Sequence, residues 1–201
     1  MPNKDAIQVL EEDHVKVEKA FEQFEKLGEE DTEQKQQIVS MVLSDLKVHT
    51  VIEEELFYPQ LLESLSDDDE IEDLLDEAEV EHTSAKEMIA QIEAMDPQER
   101  LFDAKFTVLC EYVKHHVKEE RNEIFPKAKK SDLDLDAIGQ ELEARKMELK
   151  QMLADEEAGM SSRKSSGGRR ASSGGKRSSG SSKSKSSGGA SRSRSSQRKR
   201  S

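Results

Sequence analysis

The sequence predicts an all-α protein: an antiparallel up-and-down four-helix bundle, an extra C-terminal helix and a disordered basic tail. Hydrophobic residues make up 33% of the 201 residues, aromatic residues 4% and charged residues 37%. That balance is typical of solvated helices, since sheets need more aromatic and β-branched residues. Long stretches also repeat apolar residues at three- and four-residue steps, and short polar segments separate them. Such spacing favours antiparallel neighbouring helices.

Capping residues and helix-stopping residues divide the chain into five predicted helices. Asp and Ser accept hydrogen bonds from the free N–H groups at a helix start, and negative charge is favourable there. A glycine or a proline favours a boundary. The predicted helices run from Asp5 to about Leu27, from Asp31 or Thr32 to about Leu65, from the acidic segment 66–70 to about Met95, from Asp96-Pro97 to about residues 126–130, and from about Leu135 to Ala158. The predicted domains are therefore a bundle at residues 1–130, an added amphipathic helix at 131–158 and a tail at 159–201.

The predicted tail differs sharply in charge from the rest of the chain. Residues 159–201 carry thirteen Lys and Arg residues and no acidic residue, which leaves the first 158 residues with a net charge of −26. Ser, Gly, Lys and Arg cannot bury enough apolar surface to offset the entropy lost on ordering, so we expect disorder. A flexible polycation attracts nucleic acid or another polyanion without sequence specificity. We expect that role for residues 161–201, beside the simpler alternative of a solubilising tail.

Membrane insertion and thiol chemistry are not expected from the sequence. No stretch approaches roughly 18 consecutive apolar residues, so no membrane span is predicted. The N-terminus lacks a basic-then-apolar signal pattern, and the expected compartment is therefore the cytoplasm. Cys110 is the single cysteine, which excludes an intramolecular disulfide and a thiolate metal cluster. We expect Cys110 to serve as inert packing.

Each of the four bundle helices places one histidine in its predicted core stripe, and two of those histidines have a glutamate four residues later on the same face. From the predicted turns, the four histidines lie within a few residues of one height, at 1.5 Å rise per residue. Buried carboxylates without a partner cost several kcal/mol, so a cation is their natural compensation. Iron, manganese and zinc accept imidazole and carboxylate ligands. The predicted metal ligands are His14, His49, Glu53, His82, His116 and Glu120.

The second and fourth helices repeat one motif at an offset of 67 residues. The segment HTVIEEELFYP, which starts at His49, aligns with HVKEERNEIFP, which starts at His116. Both have glutamate four residues after the histidine, an aromatic residue late in the segment and proline at its end. A repeat spaced by two helices predicts a bundle built from two helical hairpins.

These motifs, together with EEDH ending at His14 and EVEH ending at His82, resemble the hemerythrin-like, or HHE cation-binding, domains over about residues 5–130. The resemblance implies a non-haem di-iron centre in which Glu53 and Glu120 bridge two iron ions and the histidines are terminal ligands, two per ion. Oxygen-carrying members have a further histidine one turn after the third-helix histidine, where this chain has Lys86. The implied function is therefore handling or sensing of oxygen, nitric oxide, peroxide or iron, not reversible oxygen carriage.

Several alternatives stay open at this point. One is a di-iron oxidoreductase that turns over oxygen, peroxide or nitric oxide, with the basic tail tethering it to nucleic acid. Another is a ferritin-like carboxylate bundle, which would use Glu11 and Glu79, each three residues before a histidine. Both of these glutamates lie off the apolar stripes, which disfavours that alternative. A purely structural bundle would require the His/Glu set to be accidental.

Two further side chains are predicted to support the ligands, and one histidine is left over. Asp45 lies one turn before His49, and Tyr112 lies one turn before His116, so either could hydrogen-bond a ligand. The alternative for Tyr112 is a core aromatic with an exposed hydroxyl. His115 points about 100° away from its neighbour along the helix, and we expect it on a solvated or helix-contact face.

Overall fold

The computed structural model of the protein describes residues 4–167, and this part of the chain is all-helical, as predicted. It contains seven α-helices and two π-helical turns. The helices are α1 Ala6–Phe24, α2 Thr32–Ile52, α3 Tyr58–Ser64, α4 Asp69–Glu93, α5 Phe102–Glu119, α6 Phe125–Ala128 and α7 Leu135–Gly167. The π-helical turns Glu53–Phe57 and Glu120–Ile124 join α2 to α3 and α5 to α6 without a break. The chain divides into two compact units, residues 1–161 and 162–201, and of the second the structure describes only residues 162–167.

The four long helices form the predicted antiparallel bundle. In cross-section, α1 packs beside α2, α2 beside α4, α4 beside α5, and α5 beside α1, which closes the ring. Asp5 caps the start of α1, because its carboxylate accepts a hydrogen bond from the backbone N–H of Gln8 and the Gln8 side-chain oxygen accepts one from the backbone N–H of Asp5. Asp68 caps α4 in a similar way through the backbone N–H of Glu70. These acidic caps are the residue types expected from the sequence.

The predicted start of the fourth bundle helix at Asp96-Pro97 is wrong by five or six residues, because α5 begins at Phe102. The backbone N–H of Glu99 bonds to the carbonyl of Asp96, and that of Phe102 bonds to the carbonyl of Glu99. These bonds span three residues and close successive turns. The Asp96 side chain also accepts the N–H of Gln98. Asp96 therefore stabilises a turn, a common alternative role for an Asp that precedes proline.

The end of the fifth helix also differs from the prediction. α7 continues through residues 159–167, which the sequence analysis placed in the tail. Gly159 costs a helix only about 1 kcal/mol relative to alanine, and Arg163 and Lys164 are good helix formers, so the segment need not stop there. The predicted disorder of the remaining tail concerns residues 168–201, which lie outside the described residues.

Two apolar clusters fill the bundle, one on each side of its middle. The first includes Phe21, Phe24, Val42, Ile89, Phe106 and Leu109. The second includes Leu10, Ile52, Phe57, Leu61, Ile71 and Phe125, with Ile138 and Leu142 of α7. The buried histidines and the buried Glu53 and Glu120 lie in the layer between these clusters. Among residues 4–167, none of the helices combines the length and the apolar character that a bilayer crossing requires.

The extra helix α7 packs closely on the start of α1. A Cβ atom on Gly139 would lie 2.3 Å from the carbonyl oxygen of Lys4 and 2.7 Å from the carbonyl carbon of Asp5. Glycine is therefore required for the close approach of the two backbones. Further along α7, Lys146 pairs with Asp13 at 2.5 Å and Arg145 pairs with Glu55 at 2.7 Å. These contacts fix α7 against the face of the bundle that α1 and α2 provide.

Candidate metal centre

The structure brings all six side chains predicted as ligands together in the middle layer of the bundle. Their side-chain atoms form two groups, in each of which one atom per residue lies within 4.8 Å of the others. The first group is His14, His49, Glu53 and Glu120, and the second is Glu53, His82 and His116. The Nε2 atoms of His14 and His49 are 2.9 Å apart, and those of His82 and His116 are 3.1 Å apart. The predicted common height of the four histidines is therefore what the structure shows.

The two carboxylates lie between the histidine pairs. Glu53 Oε1 is 3.2 Å from Nε2 of His49, and Glu53 Oε2 is 3.4 Å from Nε2 of His82. Glu120 Oε2 lies 3.0 Å from Nε2 of His14 and 3.6 Å from Nε2 of His116. Each glutamate thus faces one histidine from each pair, and both glutamates have 0% of their side chains exposed.

The buried acceptors of this layer suit a cation. Both oxygens of Glu53 and Oε2 of Glu120 are buried and have no hydrogen-bond donor among the described residues. A buried carboxylate in that state is costly unless positive charge compensates it. Imidazole and carboxylate are donors that first-row metal ions accept. The chemistry of the donor set, its burial and its convergence therefore fit metal ions bound between the four helices.

The electrostatics of the layer agree with this interpretation. Burial and the charge of Glu120 raise the pKa of Glu53 to about 7. Burial alone would lower the pKa of His49, but the nearby carboxylates of Glu53 and Asp13 outweigh it and raise that pKa to about 10. At His116, the Glu120 charge and the hydrogen bond to Glu81 likewise outweigh burial and raise the pKa to about 9. The two buried carboxylates thus attract positive charge to the middle of the bundle.

Carboxylates also face the outer nitrogen, Nδ1, of the histidines. His116 Nδ1 donates to Glu81 at 2.8 Å, and His82 Nδ1 donates to Glu54 at 2.9 Å. A carboxylate that accepts from Nδ1 fixes the ring orientation and leaves Nε2 free to bind a metal. On the other side, Asp13 lies 3.6 Å from Nδ1 of His49. None of these acids was predicted as a supporting residue, although each adjoins a predicted ligand in the sequence.

The two halves of the centre carry equivalent ion pairs of opposite polarity. Lys86, four residues after His82, binds Glu54 at 2.5–2.6 Å. In the other half, Glu18 lies four residues after the α1 histidine, and it accepts a hydrogen bond from Arg121 at 2.6 Å. The residue after Glu53 is therefore an acid, Glu54, which lies beside the α4 histidine. The residue after Glu120, the equivalent position in the other half, is Arg121. Lys86 occupies the position of the fifth histidine of oxygen carriers and is ion-paired to Glu54.

The two glutamates of the repeated motif each begin a π-helical turn. In these turns the backbone N–H of Tyr58 bonds to the carbonyl of Glu53, and that of Phe125 bonds to the carbonyl of Glu120. A proline, Pro59 or Pro126, lies just after each turn. Proline lacks a backbone N–H, and its ring clashes with the carbonyl oxygen of the residue four positions earlier. The proline explains the local widening of the helix, and such single-turn widenings often occur at functional sites.

Tyr58 is a further contact of the centre that the sequence analysis missed. Its hydroxyl donates to Oε1 of Glu120 at 3.0 Å, and its ring stacks on His82 with the ring centres 5.7 Å apart. Burial and the charges of Glu120 and Glu53 raise the pKa of Tyr58 well above its usual value, so the phenol keeps its proton. Its place before the proline of the repeated motif was the available signal.

The remaining predicted supporting residues do not contact the ligand histidines as expected. Asp45 is buried but pairs with Lys16 at 2.5 Å and with Lys150 at 3.3 Å. The side chain of Tyr112 is 46% exposed and lines a cavity beside the histidines. Burial raises the pKa of Cys110 to about 12, which agrees with an inert thiol. His115 is 58% exposed, so its expected solvated position is confirmed.

A small cavity adjoins the inner edge of the centre. Its volume is about 30 Å³, and its lining includes all four histidines and the apolar side chains Val17, Leu46, Ala85, Val113 and Val117. One water molecule needs roughly 10–15 Å³ by the same measure. The space therefore suits one or two waters or a diatomic molecule, in apolar surroundings next to the converging imidazoles.

The four-helix fold and the buried His/Glu layer define a metal-binding helical bundle. Residues 5–128 match the Hemerythrin HHE cation binding domain family, and the chain belongs to this family. It is therefore a hemerythrin-like, metal-binding protein, and the predicted resemblance is confirmed. The ferritin-like alternative is not supported: Glu79 is exposed, and Glu11 is bound to Arg121.

Two similar proteins add detail. A crystal structure of a hemerythrin HHE cation binding domain-containing protein from Mycobacterium kansasii superposes with a TM-score of 0.61 at 20% identity, covering 74% of this chain and 89% of that one. This similarity supports the fold. A protein named DNA nickase from Nostoc sp. is 27% identical over 154 residues, which cover 75% of this chain. The chain spans 42% of the length of that relative.

Proposed function

We propose that the buried layer holds two non-haem iron ions. His14 and His49 serve one ion, His82 and His116 serve the other, and Glu53 and Glu120 are shared. The position of Glu53 carries this proposal, because its two oxygens lie 3.2 and 3.4 Å from histidines of different pairs. Mixed imidazole and carboxylate donors suit iron, and a shared carboxylate suits two ions better than one.

The proposed role is to sense or handle oxygen, nitric oxide, peroxide or iron itself. Bound iron supplies one-electron redox chemistry and coordination positions for such small molecules. The chain contributes a small cavity of about 30 Å³ beside the four histidines, lined in part by apolar side chains. The Tyr58 hydroxyl keeps its proton and donates a hydrogen bond to Glu120, which orients one of the shared carboxylates. Lys86 is bound to Glu54 and occupies the position of the additional histidine of oxygen carriers, so the His82 side lacks that histidine.

An optical spectrum of the anaerobically reduced, iron-loaded protein tests this role. We expect one oxidation on exposure to air that degassing does not reverse. An absorption band that appears in air and disappears on degassing would instead show reversible oxygen carriage and contradict the proposal.

The second candidate is a di-iron oxidoreductase that the basic tail tethers to nucleic acid. Two observations favour the tether: thirteen Lys and Arg residues in 159–201 and the relative named DNA nickase. Binding through such a tail depends strongly on salt, because counterions are released. We expect the full chain to bind duplex DNA weakly at low salt and a chain truncated after residue 160 not to bind. Equal affinity of the two chains would contradict the tether.

Steady-state turnover separates the second candidate from the first. A sensor consumes about one equivalent of oxidant per centre, whereas an oxidoreductase continues as long as an electron donor is supplied. Consumption of peroxide, oxygen or nitric oxide by the iron-loaded chain, followed over many equivalents with a chemical reductant, is the relevant measurement. Multiple turnovers would favour the oxidoreductase.

A further inference from the structure

A second cluster of side chains that can ligate a metal lies on the outside of the bundle, beside the buried centre. It consists of Glu81 on α4 and of His115 and Glu119 on α5. The Nε2 atom of His115 is 3.1 Å from Oε1 of Glu119 and 3.6 Å from Oε1 of Glu81. The proposed iron ligands include none of these three residues.

The separations within this outer cluster suit one shared cation. Zinc binds histidine nitrogen and carboxylate oxygen at about 2.0–2.2 Å in tetrahedral sites, which places two ligand atoms of one ion roughly 3.3–3.6 Å apart. The two distances in the cluster, 3.1 and 3.6 Å, lie at or close to that range. An ordinary ion pair within α5 would account for His115 and Glu119, which are four residues apart. Glu81, which also accepts a hydrogen bond from His116, approaches the same nitrogen from a different helix.

The outer cluster is accessible, in contrast to the buried centre. The side chain of His115 is 58% exposed and that of Glu119 is 26% exposed. Water can therefore complete the coordination shell of an ion at this position. Glu77 and Glu123 also lie close enough to act electrostatically on Glu119. A concentration of like charge raises the local concentration of counter-ions, so this patch attracts cations.

Glu81 links the outer cluster to the buried centre. Its Oε2 atom accepts the hydrogen bond from Nδ1 of His116 at 2.8 Å, while its Oε1 atom faces His115. The same side chain lines the cavity beside the four buried histidines. The Glu81 carboxylate therefore joins the exposed His115 to the buried His116, which belongs to the second ligand group.

We propose that Glu81, His115 and Glu119 form a third, solvent-accessible site for a divalent first-row metal ion, and that metal enters the buried centre from this site. The entry part rests on the proposed function, because the buried centre is the destination. Glu81 is held by a ligand histidine, so substitutions of His115 and Glu119 are the cleaner tests.

Equilibrium dialysis of the iron-loaded, full-length protein against Zn²⁺, with both metals quantified, tests the site. We expect wild-type protein to retain its iron and to bind one additional zinc ion per chain. His115→Ala and Glu119→Gln each remove a proposed ligand and should weaken zinc binding by about 100-fold or more, since loss of even an outer partner can cost a metal site that much. Glu123→Gln removes the same charge one turn further along without removing a proposed ligand, so it should lower zinc affinity only slightly. Equal zinc affinity of wild type and His115→Ala would overturn the proposal.

The rate of iron uptake by the metal-free full chain tests the entry role. His115→Ala should fill several-fold more slowly than wild type and than Glu123→Gln, and it should reach the same final iron content. Equal uptake rates for wild type and His115→Ala would overturn the entry role. A wild-type chain that takes up no iron would instead contradict the proposed function, and the zinc measurement would still decide the surface site.

Discussion

Glu53 is the side chain on which both ligand groups depend. Replacing Glu53 with Gln keeps the volume but removes the charge that lies between His49 and His82. We expect Glu53→Gln to lower iron affinity by about 100-fold or more, since even loss of an outer partner can reach that size. Metal content after dialysis against a calibrated chelator measures the effect.

Glu55→Gln provides the matched control for that substitution. Glu55 lies in the same π-helical turn, but its carboxylate binds Arg145 of α7 at 2.7 Å and contacts none of the six predicted ligands. The account requires iron binding by Glu55→Gln to stay close to that of wild type. If both variants lost iron equally, the effect would come from disturbance of the turn and not from the loss of a ligand.

The inverted ion pairs predict that the two halves respond differently to equivalent substitutions. Glu54 orients His82 directly, whereas Glu18 contacts Arg121. Glu54→Gln should therefore weaken iron binding by about tenfold, and Glu18→Gln should change it little. Competition with a chelator measures both affinities. Similar losses of iron affinity in the two variants would show that the position of the acid within each ion pair does not affect iron binding.

At the residue scale, the sequence was sufficient to predict the six side chains of the buried layer but not their supporting contacts. These six residues could be predicted from helical spacing, because each lies in an apolar stripe. Contacts such as Tyr58 with Glu120, or Glu81 with His116, join different helices. They depend on helix rotation and on local widening at the π-helical turns, which a single-helix pattern does not determine.

At the element scale, α7 depends on a glycine at its crossing with α1. Gly139→Ala places a methyl group against the backbone of Lys4 and Asp5, and we expect destabilisation by about 1–3 kcal/mol through overpacking. At Gly159 an added Cβ meets nothing within 4 Å among the described residues outside its own stretch of helix, so Gly159→Ala should stabilise the helix by about 0.5–1 kcal/mol. Urea unfolding followed by circular dichroism measures both changes, and equal changes in the two variants would contradict this packing.

The boundaries of the elements were predicted less well than their existence. Asp96-Pro97 matches both a helix start and a turn, and only the hydrogen bonds of the folded chain show that a turn forms. α7 likewise continues past Gly159 because one glycine is a weak stop. The predicted bounds of the second and fourth helices correctly included Pro59 and Pro126, but the sequence did not reveal the π-helical turns that place Glu53 and Glu120.

At the scale of the whole molecule, the bundle consists of two apolar clusters with a polar layer between them. Bound metal stabilises the folded chain because the unfolded chain does not present the site. Saturation at about 1,000 times Kd contributes roughly 4 kcal/mol, which corresponds to a Tm change of about 10 °C for a chain of this size. We expect a chelator to lower the Tm of wild type by about that amount.

The same chelator treatment of Glu53→Gln is the control for the thermal measurement. Because this variant already lacks a shared ligand, the chelator should shift its Tm much less than it shifts that of wild type. Identical Tm values for wild type with and without the chelator would show that the polar layer folds without metal, as a structural bundle would.

Elemental analysis of the purified full-length protein tests the central claim most directly. The account predicts two iron ions per chain, with Glu53→Gln reduced and Glu55→Gln unchanged under the same conditions. Near-zero iron, zinc and manganese in wild type, after both aerobic and anaerobic purification with added iron, would contradict the assignment of the buried His/Glu layer as a metal centre.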